Sequence, residues 1–193
     1  MDAFALTLGV IFVAELGDKS QLLAFALATR LRTSLVVIGV VVANVTTQAA
    51  AAFAGDLLGS ALDGPVVAVG AAVLFLVFAA LALRGDDGHA HDPGEAPQGP
   101  AARTGALRGV ATVAGAVILA EVGDKTMLAT MTLAARDGFV AVWLGASLGM
   151  TLAGLLGVAA GRLVGARLPV RVLRYASAAV FAAVGVWIAV DAL

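Results

Sequence analysis

The chain has 193 residues, of which 61% are hydrophobic and 13% are charged, and its mean hydropathy is +1.02. Soluble domains are about 45 to 50% apolar and about 25% charged, so this composition excludes an ordinary soluble protein and predicts an integral membrane protein. A formal net charge of −1 without a basic cluster argues against a nucleic-acid partner. The sequence contains no cysteine, which excludes disulfide bonds and thiolate metal sites.

The first predicted span, residues 3–29, carries three charged side chains in its middle. A helix that crosses a bilayer needs about 20 mainly apolar residues, and this segment begins without the basic region and cleavage site of a signal peptide. We therefore expect it to be retained as a first helix. A charge at the bilayer centre costs about 2.5 to 3.5 kcal/mol on insertion scales. The charged residues of its AELGDKSQ segment, Glu15, Asp18 and Lys19, therefore indicate a protein interior or a water-filled path.

The second and third predicted spans cover residues 34–55 and 65–83. The second offers Asn44, Thr47 and Gln48 on one helix face. Polar residues of this kind in transmembrane helices usually bond to the backbone or to a neighbouring helix. Asn44 is the one that we include as a supporting candidate for ion binding.

A segment rich in glycine, proline and acidic residues follows the third span. Residues 84–104, RGDDGHAHDPGEAPQGPAART, have no apolar period and predict a flexible cytoplasmic linker. His89 and His91 fit a solvated loop better than a metal-sensing site.

Three further spans are predicted at 107–134, 139–160 and 172–191. The first of them repeats the charged segment as AEVGDKTM at residues 120–127. An offset of 106 residues relates the two segments and also relates four later pairs: Gly39 and Gly145, Gly55 and Gly161, Gly59 and Gly165, Phe75 and Phe181. The sequence is therefore an internal duplication.

Three spans per copy make the second copy enter the membrane from the opposite side, as in the inverted-topology repeats of secondary transporters. The predicted fold is an all-α integral membrane protein with six transmembrane helices in two inverted three-helix repeats. We expect the repeats to cover residues 1–83 and 105–193, with 84–104 as the linker between them.

The placement of arginine predicts the orientation, because positively charged short loops stay cytoplasmic. Nine arginines fall on one side of the predicted membrane: Arg30, Arg32, Arg84, Arg103, Arg108, Arg162, Arg167, Arg171 and Arg174. Arg136 falls on the other side. We therefore expect a multi-pass protein of the plasma (inner) membrane with both termini extracytoplasmic, and with Glu15 and Glu121 near the bilayer midplane.

The charged segments are the candidate functional site. Their four carboxylates are the candidate metal ligands: Glu15, Asp18, Glu121 and Asp124. Residues at i+3 and i+4 share a helix face, so each segment is expected to gather its charges on one face. At Gly17 and Gly123 the backbone can admit a neighbouring helix or unwind and expose carbonyl groups. The supporting residues are Lys19, Ser20, Gln21, Lys125, Thr126, Met127 and Asn44.

Carboxylates, hydroxyls and amides suit hard divalent ions such as Ca²⁺, Mg²⁺ or Mn²⁺. Copper(I) and thiolate-bound zinc are disfavoured because the chain lacks cysteine. The fifth span offers Ser147, Met150 and Thr151. Met127 and Met150 fit packing better than ligation, although a thioether near the site would favour Mn²⁺ over Ca²⁺. We expect the ion to be a transported substrate and predict no cofactor.

Other interpretations of the charged segments stay open at this point. Each could form an intrahelical salt bridge that serves packing, although every segment carries one carboxylate more than its lysine can neutralise. An intramembrane aspartyl hydrolase would use Asp18 and Asp124 as a dyad, but a neighbouring lysine opposes the shared proton of such a dyad. An exporter of small organic cations or amino acids would need a larger pocket and more aromatic residues than the 6% present.

The duplicated motif, Glu-x-Gly-Asp-Lys-Ser/Thr at 15–20 and 121–126, resembles the double signature of uncharacterised protein family 0016. That family includes Golgi and chloroplast manganese and calcium transporters and bacterial MneA-type manganese exporters. The resemblance covers nearly the whole chain and implies cation/proton exchange through the two motif-bearing helices. Met127 departs from the glutamine that the family commonly carries after Ser/Thr.

The predicted mechanism is a divalent-cation antiport in which the four carboxylates hold either one metal ion or protons. Carboxylates that lie close together cannot both stay ionised cheaply without a cation, so release of the metal is expected to be coupled to proton uptake. Lys19 and Lys125 would neutralise surplus charge in the empty state. Proton influx would drive Mn²⁺ or Ca²⁺ out of the cytoplasm, while the halves rock around a fixed site. The choice between Mn²⁺ and Ca²⁺ stays open here, as does the oligomeric state.

Overall fold

A computed structural model describes residues 2–16, 23–24, 27–28, 31–84, 105–163 and 170–192. These residues form no β-strand. They form seven α-helices with defined bounds and two short helical pieces, at 23–24 and 27–28. The helices are α1 Ala3–Glu15, α2 Thr33–Ala61, α3 Gly64–Arg84, α4 Ala106–Glu121, α5 Lys125–Asp137, α6 Phe139–Leu163 and α7 Val170–Asp191. The all-α class is confirmed for this part of the chain. Nearly all of the predicted linker, including His89 and His91, lies outside the described residues.

Within the described ranges, four stretches are long and apolar enough to cross a membrane: Thr33–Ala61, Gly64–Arg84, Phe139–Leu156 and Arg174–Asp191. Helices α4 and α5 together form a fifth if they count as one broken span. Helix α1 has 13 residues, fewer than the about 20 that a span needs, and residues 17–22 beyond it are not described. The described chain is therefore a multi-pass membrane protein with four or five recognisable spans, and the count of six stays a prediction.

The span predicted at 107–134 consists of two helices, and the break lies at Gly123, where the sequence allowed the backbone to unwind. Helix α4 ends at Glu121, α5 begins at Lys125, and their axes differ by 76°. Gly123, between them, has φ +79°, a left-handed conformation that only glycine adopts readily. Helix α1 also ends within the first predicted span, at Glu15, and Leu16 after it is extended. The chain leaves the helix just after both motif glutamates.

The helices pack around two aromatic rings. Phe75 of α3 and Phe181 of α7 are fully buried, and their ring centroids are 5.9 Å apart. Buried side chains of α1, α5 and α6 complete this cluster, and a smaller cluster joins α2 to α4. Helix α3 packs chiefly against α7, and α1 against α6.

Two glycines allow close approach of helices on both sides of this bundle. A Cβ atom added to Gly39 of α2 would lie 2.6 Å from the Cβ atom of Val113 in α4. A Cβ atom added to Gly145 of α6 would lie 3.1 Å from the Cβ atom of Thr7 in α1. Small residues of this kind let transmembrane backbones pack closely where lipid removes the hydrophobic driving force.

The outer surface of the bundle is apolar. Helix α3 exposes more than half of Val66, Val69 and Val73, which are spaced so that they form one stripe along the helix. At one end of the bundle Arg136 of α5 bonds to Asp191 of α7 at 2.5 Å, and its guanidinium carbon lies 4.4 Å from the centroid of the Trp187 ring. These contacts tie the end of α5 to the end of α7.

Candidate metal site

Three carboxylates meet inside the bundle. Oxygen atoms of Glu15, Glu121 and Asp124 all lie within 4.8 Å of one another. Glu15 is 1% exposed and Glu121 is 2% exposed, whereas Asp124 is partly exposed. The three side chains come from the C-terminal ends of α1 and α4 and from the residue that precedes α5. Groups distant in sequence thus form one cluster of negative charge.

The break between α4 and α5 brings Asp124 to this cluster. We expected Glu121, Asp124 and Lys125 to share one helix face, and that prediction is wrong because the helix stops after Glu121. Asp124 instead occupies the N-cap position of α5, where the positive end of the helix dipole favours a carboxylate. The C-terminal end of α4 carries backbone carbonyl groups outside the helical ladder, and carbonyl groups at such an end favour a cation.

A cavity of about 10 Å³ lies among these helices. Its lining joins both charged segments to α2 and α6: Glu15, Ala24, Val40, Asn44, Val117, Glu121, Met150 and Gly154. One water molecule needs about this volume. The cavity therefore suits a single small ion.

Neutral groups of α2 and α6 border the carboxylates. Asn44, one of the predicted supporting residues, lines the cavity and is 3% exposed. One turn further along α2, Gln48 donates a hydrogen bond from Nε2 to Sδ of Met150 at 2.9 Å. Both of these side chains are buried. Sequence reasoning named Gln48 and Met150 but included neither in the site.

The other supporting residues fall into two groups. Lys125, Thr126 and Met127 form the first turn of α5, directly after Asp124, and Thr126 is fully buried. The remaining predicted residues of the first segment lie outside the described residues: Asp18, Lys19, Ser20 and Gln21. Their part in the site stays a prediction.

Fold and site together define the class of this protein. Apolar helices of membrane-spanning length enclose a buried group of carboxylates, and charged residues inside such a bundle mark a path for cations or protons. The described structure therefore has the features of a membrane transporter for cations.

Comparisons with known proteins give the family. Residues 3–90 and 109–193 match the family model described as "Divalent cation/proton antiporter GDT1". The chain is also 31% identical over 186 residues to a "Putative manganese exporter" of Vibrio cholerae serotype O1 (strain ATCC 39541 / Classical Ogawa 395 / O395). That similarity covers 94% of this chain and 87% of the relative. No solved structure matches the chain significantly.

The chain belongs to the GDT1 family of divalent cation/proton antiporters, which confirms the resemblance drawn from its duplicated motif. It is a transporter and not an enzyme, so the aspartyl hydrolase interpretation no longer applies. The divalent cation is its substrate and not a resident cofactor.

Proposed function

We propose that this chain exports Mn²⁺ or Ca²⁺ from the cytoplasm in exchange for protons, through one site that its two halves form together. The observation that carries the proposal is the meeting of Glu15 with Glu121 and Asp124, whose oxygen atoms lie within 4.8 Å of one another. Two separate sites, one per motif, would not need these groups to converge. A single shared site requires it.

The exchange chemistry follows from the charge of this cluster. Carboxylates buried close together repel one another in a medium of low dielectric constant, and either a divalent cation or protons relieve that repulsion. A metal ion that leaves the site is therefore replaced by protons on the carboxylates. Lys125, at the start of α5, and Lys19 reduce the net negative charge of the empty site, so that the transporter can cycle back without metal.

The inverted repeat is the second part of the proposal. Glu15 and Glu121, the last residues of α1 and α4, are 106 positions apart. The same offset relates two helix contacts, that of Gly39 with Val113 and that of Gly145 with Thr7. A second pair of contacts follows the same offset. A Cβ atom added to Gly39 would lie 3.1 Å from the carbonyl oxygen of Val110, and one added to Gly145 would lie 2.6 Å from the carbonyl oxygen of Phe4.

The same offset pairs Phe75 with Phe181, whose rings touch, as two equivalent residues do when they face each other across a two-fold axis. These pairs support repeats over residues 1–83 and 105–193, with 84–104 as the linker and six spans in total. By this symmetry Asp18, the equivalent of Asp124, is the fourth carboxylate of the site. Rocking of one repeat against the other would then expose the site to either side in turn.

The orientation of the chain forms the third part. Arg136, the one arginine predicted on the extracytoplasmic side, is paired with Asp191 and lies against Trp187. A single arginine on that side is outnumbered by the nine on the other side, and the side with the excess of positive charge is the cytoplasm. Both termini are accordingly extracytoplasmic in a plasma (inner) membrane.

Mn²⁺ is the leading substrate, because the relative from Vibrio cholerae is named for manganese export. Amino acids and organic cations are disfavoured, since the cavity of about 10 Å³ has room for about one water-sized group. Ca²⁺ accepts flexible oxygen coordination, whereas Mg²⁺ demands near-ideal octahedral geometry and sheds water reluctantly. We therefore expect Mn²⁺ and Ca²⁺ to bind and Mg²⁺ to bind poorly.

Reconstitution in proteoliposomes tests the proposal. An inward metal gradient should drive protons out, and an imposed pH gradient should drive uphill movement of Mn²⁺, as read by dyes for each ion. Glu121→Gln is the inactive control, because it removes a charge with little change of shape. A rate of metal transport that is the same with and without a pH gradient would refute the exchange mechanism. Transport of an amino acid would favour the other candidate substrates.

A further inference from the structure

We propose that the thioether sulfur of Met150 is a ligand of the transported ion and makes the site prefer softer divalent ions, such as Mn²⁺, to Ca²⁺. This inference rests on the proposed function, because it takes the ion to lie between Glu15 and Glu121. Met150 lines the same cavity as these two glutamates and is 2% exposed.

The duplication places a polar side chain at the equivalent position of the first half. The offset of 106 residues that relates Glu15 to Glu121 also relates Asn44 to Met150, and both of these side chains line the cavity. One half of the site therefore contributes an amide, and the other contributes a thioether at the equivalent place. An aliphatic residue would serve packing alone equally well at position 150.

Gln48 holds the sulfur in place. Methionine has three rotatable side-chain bonds, so a useful ligand geometry needs a contact that selects one conformation. The amide of Gln48 supplies it by donating to Sδ at 2.9 Å. A thioether sulfur has two lone pairs, and the second stays available to a metal ion while the first accepts this hydrogen bond. Gln48 is thus a positioning residue.

The amide of Gln48 occurs in only one half of the site. The equivalent of Gln48 in the second half is Gly154, which lines the cavity and brings no side chain. Since the amide occurs where it can reach Met150, the pair Gln48 and Met150 acts as one unit.

The ligand chemistry then sets the preference. Thioethers bind soft metal ions best, whereas carboxylates and carbonyls suit Mg²⁺, Ca²⁺ and Mn²⁺. Of these three ions Mn²⁺ is the softest, so a thioether adds most to its binding. Carboxylates suit Mg²⁺, Ca²⁺ and Mn²⁺ alike, so carboxylates alone would discriminate poorly among these ions. A single sulfur ligand raises the affinity for Mn²⁺ while leaving that for Ca²⁺ almost unchanged.

The lack of cysteine in the sequence allows a direct test with Cd²⁺ as a soft probe. The chain has four methionines and no thiol, so any sulfur bound to Cd²⁺ in the purified protein must be a thioether. X-ray absorption spectroscopy of the cadmium-loaded protein should detect a sulfur neighbour in the wild type. Met150→Leu should remove it, and Met131→Leu, on α5 and not in the lining of the cavity, should keep it.

Calorimetric titration gives the second readout. Met150→Leu should lower the affinity for Mn²⁺ relative to Ca²⁺ by about tenfold, and Gln48→Leu should lower the same ratio less. Leucine conserves the volume of methionine, so folding should survive. Met150→Asn, which copies Asn44, should move the preference furthest toward Ca²⁺.

The two proposals can fail separately. Oxygen neighbours alone around Cd²⁺ in the wild type, or an unchanged Mn²⁺ to Ca²⁺ ratio in Met150→Leu, would overturn the role of Met150 even if Glu15→Gln and Glu121→Gln abolish binding. Normal binding in those glutamate variants would overturn the shared site itself.

Discussion

The two halves of the site share their charged groups and differ in their neutral ones. After Glu15 and Glu121 the backbone turns alike, with φ −64° and ψ 119° at Leu16 and φ −60° and ψ 119° at Val122. Beside these glutamates, however, α2 carries Asn44 where α6 carries Met150. The shared part indicates that charge and backbone shape are needed from both halves. The difference indicates that ion preference can be set by one half.

Removal of one glutamate should have the largest effect on transport. Glu15→Gln and Glu121→Gln should each reduce metal-dependent proton flux to background, because a site shared by both halves loses an essential ligand in either variant. Flux is measured in proteoliposomes, with insertion checked by protease accessibility, since altered charge can disturb membrane insertion. About half of the wild-type flux in either variant would mean two independent sites.

The packing equivalence of the halves can be tested at Gly39 and Gly145. Alanine at either position should destabilise the protein by about 1 to 3 kcal/mol, because the added methyl group would overlap Val113 or Thr7 in the facing helix. Gly9→Ala is the matched control, since an added Cβ atom there has no neighbour within 4 Å in the described structure. Thermal unfolding in detergent measures the effect. Tolerance of alanine at one of the two positions would show that the halves pack differently.

The backbone break has its own test at Gly123. Alanine in the left-handed region costs about 1 to 2 kcal/mol, so Gly123→Ala should weaken Mn²⁺ binding and shift the chain toward a straighter helix. Gly123→Asn should be milder, because asparagine adopts this conformation more readily. Gly115→Ala, inside α4 and facing open space, is the control. Equal Mn²⁺ affinity in all three variants would show that the break is dispensable for binding.

The smallest effect on binding is expected at Lys125. Lys125→Ala removes a positive charge next to the carboxylates, so the affinity for Mn²⁺ should stay level or rise. Transport should slow nevertheless, because the empty site then keeps more negative charge as it reorients. Titration and flux measured on the same preparation separate the two effects. A large loss of affinity would make Lys125 a structural residue of the site.

The sequence predicted the class of fold and the charged groups because both follow from simple regularities. Apolar content and sparse charge define a membrane protein, and the repeat at an offset of 106 pairs Glu15 with Glu121 before any contact is known. Gly123 marked a place where the backbone could unwind, but the sequence did not predict that the helix ends at Glu121 and that its axis then turns by 76°. A window of about 20 residues averages hydropathy, so a broken span and a straight one give the same signal.

The contact between Gln48 and Met150 also escaped prediction, for a different reason. It depends on how α2 crosses α6, which the periodicity of either helix does not specify. The available signal was the repeat, because it matches Met150 to Asn44. That match was not used, and methionine is common as a packing residue.

The stoichiometry of binding tests the shared site most directly. Calorimetric titration of the purified protein with Mn²⁺ should give one ion per chain, and neither Glu15→Gln nor Glu121→Gln should bind an ion at the same concentrations. Two ions per chain in the wild type, or one ion remaining in either variant, would contradict a single site made by both halves.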